Sequence, residues 1–133
     1  MDSNERIVNI LRESKYFFFA TVNNGQPNVR PFNAVVEFEG RVYLYTNNHS
    51  SAYKQLIESP KIGICAMLDN DRWMKLKANV VFDSRVSAKK VMLAANPNLR
   101  KIYSEKDKIF EVFYLSDISA KIHSNYDSPE IIC

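Results

Sequence analysis

Arg30, Thr46, Ser50, Ser51 and Lys54 have the types and spacing that would hold a phosphate. Residues 45–56 read YTNNHSSAYKQL: an apolar run ends at Thr46, small polar groups follow, and a helix-like pattern starts at Ser50. A helix N-terminus offers unpaired N–H groups and a partial positive charge, which suits an anion. Ser50 and Ser51 fall at the cap or first turn, and Lys54, four and three positions on, shares their face. Thr46 adds a hydroxyl. Hairpin pairing about Glu39-Gly40 sets residue 33 opposite 46, which brings Arg30 to the same end of the sheet. Two cations and several hydroxyls converging there suit a phosphomonoester. The same residues also have a plainer reading, with the serine pair as a helix cap and Lys54 as a solvated amine.

Other chemistry finds little support. His49 and His123 are isolated, and no carboxylate pair, Ser-His-Asp set or metal-ligand cluster stands out. Trp73 and Lys75 read either as a covered aromatic and a solvated amine or as a ligand wall. The net charge of +3 is spread along the chain without a basic block, so no nucleic-acid partner is expected. Cys65 in an apolar run and Cys133 have no metal-type spacing, which points to a reducing compartment. The start MDSNERIVNILRESK lacks an apolar signal core and no segment reaches transmembrane length, so a cytoplasmic location and no membrane partner are expected.

The elements that must position these residues follow from pattern. With 133 residues, 46% hydrophobic and 25% charged, the chain 1–133 is expected to be a single domain. Residues 3–14 predict a helix capped by Ser3 or Asn4, with Ile7, Ile10 and Leu11 on one face. YFFFATV predicts a strand ending at the hairpin signal Asn24-Gly25. Residues 27–40 read as one extended run, with Pro31 marking an edge, and turn at Glu39-Gly40 into RVYLYT to complete a meander. A helix over 50–58, a strand over 61–68 and an alternating strand over 72–82 follow. Then come a helix over 84–95 capped by Asp83 or Ser84, a short helix over 98–103 and a strand over 109–123 bent at Ser116-Asp117. The sum is an α+β fold, a six-stranded antiparallel split β-barrel with short flanking helices.

The stretch VRPFNAVVEFEGRVYLYTNNHSSAYKQLIESPKIGICAM resembles the core of the pyridoxamine 5′-phosphate oxidase-like FMN-binding split barrels. It is most similar to the small branch with the nitroimidazole-resistance and general stress proteins. The pattern is R-P-F, then T-N, then Y-K-Q-L before a proline and a strand, continuing with W-M-K-L at 73–76 and KIYSEKDKIFEVFYL at 101–115. The resemblance implies FMN at a homodimer interface. It assigns the ribityl phosphate to Arg30, Thr46, Ser50, Ser51 and Lys54, and the isoalloxazine edge to Pro31, Phe32 and Asn33, with Asn47 nearby. Trp73 and Lys75 would approach from the hairpin across the interface.

There are departures. The family commonly carries glycine near Ala78 and near Asn33, and a side chain at 33 would narrow the space over the ring. The tail SPEIIC lacks the Arg-Leu-x-Pro segment of true pyridoxamine phosphate oxidases, so the vitamin B6 reaction is not expected, and no histidine is placed for a nitroimidazole-reductase role. The expectation is an FMN-dependent oxidoreductase acting on a small molecule, with no obligatory catalytic acid or base identified. The alternative is a non-catalytic module that stores or senses a flavin or another phosphorylated or tetrapyrrole cofactor.

Overall fold

The computed structural model describes residues 2–133. Helix α1 (Ser3–Ser14) buries Ile7, Val8 and Leu11, the stripe its spacing dictates. Its cap is Asp2, not Ser3 or Asn4. The Asp2 carboxylate accepts the Glu5 N–H at 2.8 Å, where the anion also opposes the helix dipole. Ser3 is thereby free to donate to the Ile132 carbonyl at 3.1 Å, and Asn4 to that of Gly40 at 2.8 Å.

Strands β1 (Phe17–Asn23) and β2 (Gln26–Phe32) form a hairpin on Asn24 and Gly25, whose φ of 51° and 80° match the strand twist. The expected single run over 27–40 is two strands. Residues 33–35 leave the ladder, and β3 (Val36–Phe38) pairs instead with β4 (Arg41–Asn47) through the Glu39-Gly40 turn. After helix α2 (Ser51–Glu58) come β5 (Lys61–Met67) and β6 (Arg72–Asp83). Helix α3 (Val86–Ala95), a 3₁₀ turn (Pro97–Lys101), β7 (Phe110–Ser124) and β8 (Glu130–Ile131) complete the order.

The antiparallel sheet thus has eight strands where the sequence predicts six, because 27–40 divides and the tail adds β8 to β7. The path is β2-β1-β5-β6-β7-β4-β3. Its two edges, β2 and β3, are joined only by residues 33–35, so the sheet must curl until those edges meet without pairing. That is a split barrel, and Pro31 lies on one of its open edges as predicted.

Two cores result. Inside the curl, α1 meets Phe19, Leu44, Met74 and Leu76, while α3 lays Met92 and Leu93 over Tyr43 and Phe110. Strand β7 serves both, with Phe113 and Leu115 turned to the first and Phe110 and Val112 to the second. At Asp117, with φ of 51°, the pairing with β6 slips by one residue. The inward positions then change from Phe113 and Leu115 to Ala120 and Ile122, leaving Lys121 and His123 on the outer face.

The N-cap of helix α3 is Arg85, with no side-chain cap bond, and not Asp83 or Ser84. Asp83 is otherwise engaged: it accepts the hydroxyl of buried Tyr43 at 2.7 Å and a guanidinium bond from Arg85 at 2.9 Å. Arg85 also bonds Glu39, which ties the β3–β4 turn to the end of β6. Arg85, and after it Tyr43, hold the Asp83 carboxyl down at about 2.

The folded value lies below the ordinary 3.8, so this carboxylate stabilises the fold fully above about pH 4 and loses that contribution as pH falls toward about 2. The urea midpoint should therefore drop less steeply below about pH 4 for Asp83→Asn than for the parent chain. Parallel pH profiles would show that another group governs acid unfolding.

Candidate functional site

Helix α2 is set between the end of β4 and the inner face of β1. Ala52 and Leu56 are its buried contacts, and Ser51, Lys54 and Gln55 share the opposite face. Ser50 is the N-cap: its hydroxyl accepts the Tyr53 N–H at 3.1 Å, lies 2.8 Å from the Thr46 hydroxyl and donates to the Asn47 carbonyl at 2.9 Å. Ser50 and buried Thr46 are thus committed to building the turn. Ser51 and Lys54 are exposed, and neither side chain bonds another described residue.

Arg30 reaches the same helix. It shares the inner face of the sheet with Phe32 and, opposite it on β1, Phe19. Its guanidinium donates to Thr21 Oγ1 at 2.8 Å and to Gln55 Oε1 at 3.2 Å, with a longer bond to the Phe19 carbonyl at 3.4 Å. Thr21, buried, is itself bonded to Gln55. All of these acceptors are neutral. Arg30 has no carboxylate partner among the described residues, and partial burial pulls its pKa below the ordinary value. An unneutralised guanidinium, an ammonium and a free hydroxyl therefore lie along the first two turns of one helix.

The sheet edge beside this group carries a cavity of about 170 Å³ lined by Pro31, Phe32, Asn33, Tyr45, Thr46, Asn47 and Tyr103. Phe32 stacks on Phe19 at 4.5 Å and 2°, so its ring belongs to the core and its backbone faces the cavity. Pro31 and Asn33 are exposed. Asn33, exposed and outside the ladder, keeps its backbone groups available to a heteroaromatic edge, whereas Ala34 and Val35 are buried and the Val35 carbonyl accepts from Asn96 at 3.3 Å. Asn47 donates to the Tyr103 hydroxyl at 3.1 Å, and burial, reinforced by Tyr103, raises the Tyr45 phenol above its ordinary value.

Trp73 and Lys75 are not in this group within one chain. They lie on the outer face of the sheet, in a second cavity of about 440 Å³, whereas Arg30 faces inward. Ala78 is buried in the first core, so its methyl fills the barrel interior and not a ligand space. Asn33 borders three cavities at the split, which makes it the side chain that narrows that opening.

The donor set fits a phosphorylated heteroaromatic. Arg30, Ser51 and Lys54 match a phosphate, and the open outer edge of β2 at Pro31 and Phe32, with Asn33 and Asn47, matches the polar edge of a ring. A cavity of about 170 Å³ falls short of the roughly 300 Å³ at which ligand sites begin, so a full-sized cofactor needs a further wall. Thr21, Gln55, Tyr45 and Tyr103 were not singled out in the sequence, although Gln55 stands next to Lys54 in the Y-K-Q-L run.

The sequence matches the family described as pyridoxamine 5′-phosphate oxidase over residues 3–111. The chain belongs to that family. It is similar to the solved structure of a NimC/NimA family protein from Clostridium acetobutylicum, with 35% identity, a TM-score of 0.92, and 98% of this chain and 94% of that one covered. General stress protein 26 from Bacillus anthracis shares the fold at 13% identity and a TM-score of 0.71, covering 98% and 99% of the two chains. A heme binding protein from Mycobacterium smegmatis does so at 14% and 0.71, over 98% of this chain and 57% of that one. Among curated proteins nothing matches. Both the split barrel and the family expected from the sequence are borne out.

Thr21→Val is expected to destabilise the fold by about 1–3 kcal/mol, because it leaves Arg30 and Gln55 short of a partner in a part-buried setting. Urea unfolding measures this. A change within a few tenths of a kcal/mol would mean that water satisfies both groups.

Proposed function

We propose that the chain is an FMN-binding flavoprotein, an oxidoreductase that works on a small molecule as a homodimer in the cytoplasm. The observation that carries this reading is the convergence of Arg30, Ser51 and Lys54, none neutralised by the protein, beside an unpaired sheet edge. Arg30 and Lys54 would take the phosphate, with Ser51 and the first N–H groups of α2 as further donors. Thr46 and Ser50 act by holding the turn that aims them. Residues 31–33 and Asn47 would orient the ring edge. Flavin, when bound, supplies hydride or electron transfer. No nucleic-acid or membrane partner is proposed, and among the described residues no helix is long and apolar enough to cross a membrane.

Surface chemistry supports the dimer reading. Phe18, Val29 and Met67 are 49%, 67% and 46% exposed on one outer face of the sheet, beside Trp73. Apolar surface of this kind marks an interface. An isologous partner would cover it and bring a second Trp73 and Lys75 to the first chain's cofactor edge.

A second reading has its own support. The cavity at the sheet edge is lined by no carboxylate, histidine or lysine, and its only acids are Tyr45 and Tyr103. A site so poor in proton donors suits a module that holds a cofactor without turnover. Flavin reduction by NADH or NADPH and reoxidation by added acceptors separates the two readings.

FMN titration should show tight binding, with riboflavin weaker. Lys54→Ala should weaken FMN, but not riboflavin, by roughly ten- to a hundredfold, as loss of a charge-assisted hydrogen bond does. Equal loss for both ligands would remove Lys54 from the phosphate. Sedimentation should give a dimer that Phe18→Asp converts to monomer. A monomer binding FMN as the parent does would refute the shared site.

A further inference from the structure

The outer cavity of about 440 Å³ has a composition that dimerisation alone does not explain. Its floor is small and apolar: Ala20 pairs with Gly63, and a methyl placed on Gly63 would meet only the Leu76 carbonyl, at 3.8 Å. Glycine here leaves open space and relieves no strain. Phe18 forms one wall, and Trp73 lies at the other end, stacked on His123 at 6.0 Å and 14°.

Over this floor stand Lys75, Lys77 and Lys121, all exposed and none in an ion pair or hydrogen bond among the described residues. Lys75 and Lys121 are direct cross-strand partners, an arrangement that costs stability through like-charge repulsion. No acidic residue lines the cavity. The one-residue slip at Asp117 is what turns Lys121 and His123 outward to join Lys75 and Trp73. The groove therefore sets three uncompensated positive charges beside an apolar floor.

We propose that this groove binds a planar aromatic anion, its ring on the Ala20–Gly63 floor against Trp73 and its carboxylate, phosphate or sulfonate on Lys121, Lys77 and Lys75. The inference deepens the flavoprotein reading and rests on it: the groove lies on the face proposed to form the second wall of the cofactor site, and it names the substrate class admitted there. Lys77 and Lys121 are the specificity residues. Charge complementarity selects this occupant over a neutral one.

Trp73 is the sole tryptophan, so its indole N–H resonance reports the groove directly. The probes are 2-naphthoate and the uncharged 2-naphthamide, titrated into the full chain by calorimetry and NMR, with and without saturating FMN. Naphthoate should shift the Trp73 resonance and bind about tenfold or more tightly than the amide. Lys77→Gln with Lys121→Gln should erase that preference while FMN affinity is retained. Equal affinity for the two probes, a preference that survives the double variant, or an unmoved indole signal would overturn the proposal. So would loss of the naphthoate response on saturation with FMN, which would give the groove to the cofactor's own ring. A chain that ignores FMN yet keeps the charge preference would overturn the flavin reading and leave the groove's ligand class standing.

Discussion

The structure depends on one backbone constraint: residues 33–35 carry the chain from one edge of the sheet to the other. So short a link joins the outermost strands of a seven-strand path only if the sheet closes on itself. The closure is incomplete because the linking residues cannot also pair. The unladdered backbone of Asn33, the exposed Pro31 and the opening beside them all follow from that failure to seal. The candidate cofactor edge is therefore the place where the barrel could not finish its own hydrogen bonding. A ligand rich in polar edge atoms is the natural complement to such a seam.

Helix α2 contributes through what its neighbours leave unspent. Ser50 and Thr46 consume their hydroxyls on each other and on the turn, while Thr21 and Gln55 hold Arg30 without cancelling its charge. Neutral acceptors are what allow a guanidinium to be fixed in place and still seek an anion. A carboxylate at position 21 or 55 would fix it as firmly and satisfy it. The contrast lies within the same chain: Arg85, held by Asp83 and Glu39, is a fastener with no charge to spare.

Much of this was legible in residue order. Asn24-Gly25, the alternation over 72–82, the edge at Pro31 and the polar run after Thr46 each have a local cause, and each stands where the pattern puts it. What was not legible depended on distant partners. The division of 27–40 escapes because extended backbone reads the same whether it pairs with one strand or crosses to another. Asp83 looks like a helix cap until buried Tyr43, forty residues away, claims its carboxylate. Thr21 and Gln55 carry no signal of their own, because their role exists only once β1 lies under α2. Trp73 and Lys75 were expected to come from across an interface, and within one chain they do stand on the opposite face from Arg30.

The slip at Asp117 carries a consequence of a hereditary kind. Beyond it, every side chain of β7 faces the way it does because one residue more was inserted there than a regular ladder needs. One codon gained or lost at that point would exchange the two faces of the strand's whole second half, sending Lys121 inward and Ala120 outward in a single event. The barrel's outer surface is thus open to abrupt revision by the genome while the seam and its helix stay untouched. By that route the lining of the outer groove changes in one step while the candidate cofactor seam stays constant.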